Sequence, residues 1–281
     1  MNNHTDSCNG CMNYSSCGWR SRSDIAREVF KSIPDYIKLI MNYRDHGHYS
    51  FRGQRNYKWK LGVDFRFSHD DTPVRIHDYI VHYKRRAMAL PKLDNIPEDD
   101  EWRWLFHAQH HGLKTKLLDW TSNPLVALYF AVENIVSKQK DDVCGAVWAL
   151  EVHSAFFLTP KEAGHPENVM EAALPTGRKP SDWYLVNPPP ISSRIERQSG
   201  KFSYHPDTKK FVSDQEDNET RDRKLVLFCW CPNSRKNLIS LNKKIRRHLG
   251  IMNIHHATMF PDHSGISQFL NYEFWDLQPI E

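Results

Sequence analysis

No window of this 281-residue chain approaches the run of about 20 apolar residues that a membrane helix requires, so no spanning segment is expected. Met1 to Ser16 offers Asn, Ser, Cys and Asp where a secretory leader would carry positive charge and then an apolar stretch. A dominant charge is missing too. With 38 basic and 34 acidic residues the net charge is +4, too near balance to argue for nucleic acid or anionic lipid, so any basic surface must be local. Six cysteines in a chain this long do not resemble a disulfide framework and fit a reducing compartment. The expectation is a soluble, cytoplasmic protein with no membrane partner. No repeat is found, no low-complexity tract occurs beyond Pro188-Pro189-Pro190, and no Gly-x-Ser-x-Gly elbow supports a Ser–His–Asp hydrolase. What is present, 40% hydrophobic and 12% aromatic residues, can fill an ordinary core.

Three cysteines cluster as Cys8-x-x-Cys11 and Cys17. A zinc site there needs a fourth ligand, from His4 or from Cys229 and Cys231, and a single Cys-x-x-Cys lacks the second spaced pair that makes zinc motifs specific. The preferred reading is a polar tail over 1–23 with incidental thiols, followed by one domain over 24–281.

Helical spacing of Ile25, Val29, Phe30, Ile33, Ile37 and Ile40 predicts helix from a cap at Asp24 to Tyr43, split in two by Pro34. Short strands are expected over His48–Gly53 and near Trp59–Phe65, and helices over Pro73–Leu90 and Glu101–His111, the latter closed by Gly112. Leu117–Trp120 reads as a buried strand, and Asn123-Pro124 as the cap and first turn of an apolar helix, Leu125–Val136. Cys144–Val152, Trp183–Asn187, Ile191–Gln198, Lys201–His205 and Leu225–Trp230 read as short strands, Ser234–Leu249 as helix, and Pro261–Trp275 as a final helix. The class is α+β, a single domain whose short-stranded antiparallel or mixed sheet is flanked by helices.

Two stretches concentrate the polar residues that a packing element does not need. In the first, Arg52 precedes Gly53 and Gln54; a glycine admits a ligand or another backbone, and a guanidinium beside it suits phosphate or carboxylate, or an internal acid. In the second, Asp119 lies between Leu118 and Trp120, whose apolar character predicts its burial and makes Arg52 an available partner. Thr121 and Ser122 follow where hydroxyls cap a helix or bind a ligand oxygen. His107 and His111 share a helix face, and a metal site with Asp119 is conceivable. However, Ala108 stands where a His-Glu-x-x-His hydrolase has its glutamate, so no metal is assigned. Alternation over Arg194 to Phe202 places Arg194, Glu196 and Gln198 on one face of a strand. Arg235, Lys236, Lys243, Lys244, Arg246 and Arg247 line a helix without an acid; a solvated face is preferred there over a nucleic-acid surface.

With these residues in view the chain resembles the FRG domain family. The resemblance rests on Phe51-Arg52-Gly53, on the dense pattern from His111 to Ala131, on Arg194-Ile195 with Gln198, Gly200 and Phe202, and on Gly250-Ile251 with Phe260-Pro261-Asp262. It spans roughly residues 28 to 275; Lys114 departs from the proline usual in its loop. The resemblance implies a bacterial or phage defence or toxin protein, remotely similar to ADP-ribosyltransferases, with NAD as substrate. It implies that Arg52, Gly53, Gln54, His111, Asp119 and Thr121 hold NAD or another nucleotide. Arg52, Thr121 and Glu196 or Gln198 would then carry transfer to a protein or nucleic-acid acceptor. The alternative is a nucleotide- or nucleic-acid-binding module without chemistry.

Overall fold

The computed structural model describes residues 26–44, 48–57, 59–63, 76–90, 96–133, 144–152, 157–163, 183–188, 193–205, 225–230 and 235–276. The clustered cysteines Cys8, Cys11 and Cys17 and the cap Asp24 lie outside them. The strands are β1 (Ala26–Val29), β2 (Tyr49–Gln54), β3 (Leu117–Thr121), β4 (Ala146–Glu151), β5 (Phe157–Leu158), β6 (Tyr184–Val186), β7 (Gly200–Tyr204) and β8 (Leu225–Cys229). They form one mixed sheet in the order β1-β8-β4-β2-β3-β7-β6-β5. Its two edge pairs, β1 with β8 and β5 with β6, are parallel, and the interior is antiparallel. The helices are α1 (Ile33–Arg44), α2 (Ile76–Ala87), α3 (Glu101–His110), α4 (Pro124–Val132), α5 (Pro160–Ala163), α6 (Ser193–Arg197), α7 (Arg235–Ile251), α8 (His256–Met259) and α9 (His263–Asn271), which runs into a π-helical turn, Tyr272–Asp276. None of them is long and apolar enough to cross a membrane.

The period of two along each strand sorts the side chains into layers. Phe51, Val147, Ala149, Val226 and Phe228 face α1, α4 and α7 and pack with Tyr36, Ile40, Ala127, Leu238 and Ile245. On the same face of the other half, Leu117, Tyr184, Val186, Phe202 and Tyr204 pack with Ile80, Trp102 and Phe106 of α2 and α3. The opposite face gathers Leu118, Trp120, Ala146, Trp148, Leu150, Leu185 and Leu227 under Leu61 and Val63. Burial of one such side chain stabilises by roughly 1.5–3 kcal/mol, so these layers hold both halves of the sheet in place.

The halves meet at a seam. Strand β2 pairs with β4 from Tyr49–Glu151 to Gln54–Ala146, and β3 pairs with β7 from Leu117–Tyr204 to Thr121–Gly200. Between β2 and β3 the register holds only Phe51 opposite Thr121. Beyond that position the two strands part.

Several elements differ from the sequence expectation. Ala26–Val29 is an edge strand, not helix, because its register with Val226–Cys229 captures it; Pro34 then sits in the first turn of α1 and does not split a longer helix. Residues 59–63 form bends where a strand was expected, and Phe65 lies outside the described residues. Ser193–Arg197 is a helix, not a strand. The other predicted strands and helices form at their expected places among the described residues; the expected bounds Pro73, Val136 and Ser234 lie outside these.

Candidate functional site

Arg52 stands on β2 where the strands have begun to part, and its side chain spans the gap. Nη1 donates to the Asp119 carbonyl at 2.8 Å and lies 3.8 Å from Asp119 Oδ2. A side chain thereby satisfies a backbone acceptor at the parted edge. Burial pulls the guanidinium below its ordinary value and Asp119 opposes that shift; the group remains a cation, with its Nε buried and without a hydrogen-bond partner among the described residues.

Asp119 was expected to be buried and is 58% exposed. The same alternation explains the difference: Leu118 and Trp120 point to the opposite layer, which leaves the residue between them facing the cleft. A short relay fixes its carboxylate. The Leu117 N–H donates to Thr115 Oγ1, Thr115 donates to Gln109 Oε1 at 2.7 Å, and Gln109 Nε2 donates to Asp119 Oδ2 at 3.1 Å. Gln109 occupies the last turn of α3, which Asp100 caps and after which Gly112 takes a φ of 82°.

Thr121 is a latch. Its hydroxyl donates to the Gln198 carbonyl at 2.6 Å and accepts from the Asn123 N–H at 3.0 Å, while Asn123 Oδ1 caps α4 through Leu125 N. Because Arg194 to Arg197 is helical, Arg194 and Gln198 are one turn apart and approach the seam together, whereas Glu196 is exposed and does not line the cleft. Gln198 Nε2 donates to the Met259 carbonyl. Arg194 donates to the His110 carbonyl at 3.1 Å and lies 4.4 Å above the Phe260 ring.

Two contiguous lobes open at the seam, sharing Arg52, Gln54, Trp59, Gln109 and Asp119. The wider, about 950 Å³, adds Lys60, Lys114 and Thr115 to its walls. The narrower, about 340 Å³, adds Arg55, Thr121, Phe130, Glu133, Arg194 and Gln198. Together the walls present Arg52, Arg55, Lys60, Lys114 and Arg194 against Asp119 and Glu133, so the cleft itself is net positive. Trp59, 48% exposed, supplies a flat apolar face between the lobes.

Of the residues singled out in the sequence, Arg52, Asp119, Thr121 and Gln198 converge here; Glu196 and His111 do not. His111 caps α3 and packs its ring against His107 and His110. His107 shares a hydrogen bond with Tyr83, and among the described residues no group of three His, Cys, Asp or Glu could hold a metal. Burial first, then the charge of Arg194, pushes His110 down to about 4, so it is neutral at pH 7. Gln54 is buried and accepts from Trp148 Nε1, a structural use. Gly53 admits a backbone: a Cβ there would stand 1.9 Å from the Ala127 carbonyl oxygen, because α4 rests on β2. Sequence reading assigned no role to Gln109, Trp59 and Glu133. For Gln109 the signal was its place in the dense polar run one helical turn before the glycine stop.

No curated protein and no solved structure matches the chain. One family model does: residues 47–140 match the FRG domain, a third of the chain that runs from the start of β2 through α4 and contains Arg52, Gln109, Asp119, Thr121 and Glu133.

Proposed function

We propose that the seam cleft binds NAD and breaks its nicotinamide–ribosyl bond, in the manner of an ADP-ribosyltransferase or NAD glycohydrolase, and that the protein is a bacterial or phage defence or toxin effector. The observation that carries this reading is the meeting of Arg52 from β2, Asp119 from β3, Arg194 from α6 and Gln198 just after it around one cleft. Its charge and its exposed tryptophan suit a dinucleotide: Arg52 and Arg194 can clasp the diphosphate, and Trp59 can stack a ring. When the C1′–N bond breaks, the electron pair leaves with neutral nicotinamide and positive charge develops at the ribose. The Asp119 carboxylate, held in place by Gln109, then stabilises that charge, and an acceptor oxygen bonds to C1′ and gives up its proton. This role falls to Asp119 in place of Glu196, which stands away from the cleft. Thr121 acts by holding Gln198 and α6 against β3.

The test is nicotinamide release and label transfer from NAD by purified protein, with and without bacterial lysate, beside calorimetric NAD binding. Arg52→Ala is expected to weaken binding at least about tenfold and to relieve toxicity on expression in bacteria. Asp119→Asn is expected to keep binding and lose about 10²–10³ in turnover. Wild-type protein that neither binds NAD nor releases nicotinamide overturns the proposal; binding without turnover leaves the alternative, a nucleotide-binding module without chemistry.

A further inference from the structure

Glu133 stands at the C-terminal end of α4 and lines the narrower lobe. That end of a helix disfavours an anion, so helix stability does not account for a carboxylate there. It is gripped from behind. Tyr129, one turn earlier, donates its hydroxyl to Glu133 Oε1 at 3.3 Å, and His256 Nδ1 from α8 lies 3.2 Å from the same oxygen and 2.7 Å from the Tyr129 hydroxyl. Whether His256 Nδ1 donates or accepts in these contacts depends on the tautomer of its ring. Burial first and Glu133 second raise the Tyr129 phenol, so it stays a donor across the working pH range. Among the described residues these contacts all end on Oε1, and Oε2 has none.

Asp119 differs in each respect. Its carboxylate faces the Arg52 guanidinium and accepts from Gln109, an arrangement that holds a negative charge in place. Glu133 is instead oriented by a phenol and an imidazole, and it lines the narrower lobe.

We propose that Glu133 is the general base of the cleft and that Tyr129 and His256 are its positioning residues. The inference rests on the NAD reading above and names the group that reading leaves open. Oε2 takes the proton from the attacking hydroxyl or water as the new C1′–O bond forms; the C1′–N pair departs with nicotinamide, and Glu133 is left as the neutral acid. Tyr129 and His256 also line a separate cavity of about 290 Å³ with Arg246, Arg247, His255, Tyr272 and Glu273. The charged and titratable groups around the pair are Arg194 on the cleft side, Arg246 and Tyr272 beside Tyr129, and His255 and Glu273 in the second cavity.

The experiment follows NAD binding by calorimetry and nicotinamide release in parallel. Glu133→Gln is expected to lower kcat by about 10²-fold or more while the NAD dissociation constant stays within about twofold. Glu133→Ala should regain turnover with added sodium formate, which a merely structural role would not allow. His256→Asn and Tyr129→Phe are expected to lower kcat about tenfold and to shift the acidic limb of the pH–rate profile. Wild-type turnover matched by Glu133→Gln, or a Glu133→Ala loss that formate leaves untouched, overturns the assignment of Glu133 alone. Wild-type protein without NAD binding or nicotinamide release removes the reading beneath it and this inference together.

Discussion

Strand β2 has two neighbours and is joined to them in opposite ways. Toward β4 it is paired along its whole length and pressed under α4, with Gly53 leaving no room between strand and helix. Toward β3 it is joined at Phe51 and Thr121, after which Arg52 takes the place of the missing ladder by donating to the Asp119 carbonyl. The comparison teaches that the rigid junction supplies the precision and the open one supplies the space. A functional side chain set on a fully paired strand needs little reorganisation, while the parted edge leaves backbone and side-chain groups available for a ligand.

Three experiments break or sharpen that contrast. The largest effect is expected from Gly53→Ala on the closed side: its Cβ would meet the Ala127 carbonyl oxygen at 1.9 Å and the Ala131 nitrogen at 2.7 Å. Separation of α4 from β2 should remove about 4 kcal/mol or abolish soluble protein, read by chemical denaturation. The second is acid titration of the open half. Behind the seam His205 is buried against Ser203 and Trp183, and burial first and Arg52 second push it down to about 3. Since the unfolded ring titrates near 6.5, the unfolded chain binds the extra proton between those values. Stability is therefore full above about pH 6.5 and declines toward pH 3, by on the order of a few kcal/mol. Melting temperature measured from pH 7 to pH 4 should fall, and His205→Leu should flatten that fall, because leucine has no proton to take up. The smallest effect is Thr121→Val at the joint itself, which removes the bonds to the Gln198 carbonyl and the Asn123 N–H. A loss of roughly 1–2 kcal/mol is expected by denaturant melting. Unchanged stability would show that the halves are held without the latch.

Much of the closed side was legible in the sequence because its signals are local. The strand carrying Gly53 and the cap at Asn123 with Pro124 each follow from a few neighbouring residues, as does the glycine stop after α3 across the seam. Residues decided by distant partners were misread. Ala26–Val29 has helical spacing, yet pairing with β8 makes it a strand. The alternation of Arg194, Glu196 and Gln198 suggested a strand, yet the segment turns as α6 and carries Glu196 away from the other two. Asp119 was read as buried from its neighbours, although a period of two sends those neighbours to the far layer. The contact of Glu133 with His256 joins α4 to α8 across more than a hundred residues, and no local pattern announces it.

The setting of Arg194 has a consequence for which residues this position tolerates. Its flat head lies on the Phe260 ring, donates to the last carbonyl region of α3 through His110, and faces the fields of Asp119, Asp262 and Glu133 at once. Planarity lets one cation satisfy a π face and a carbonyl while still serving several acids. A lysine would preserve the electrical balance and forfeit the stacking and the fork, so conservative exchange by charge alone should misalign α6 against α8 even where the molecule stays folded.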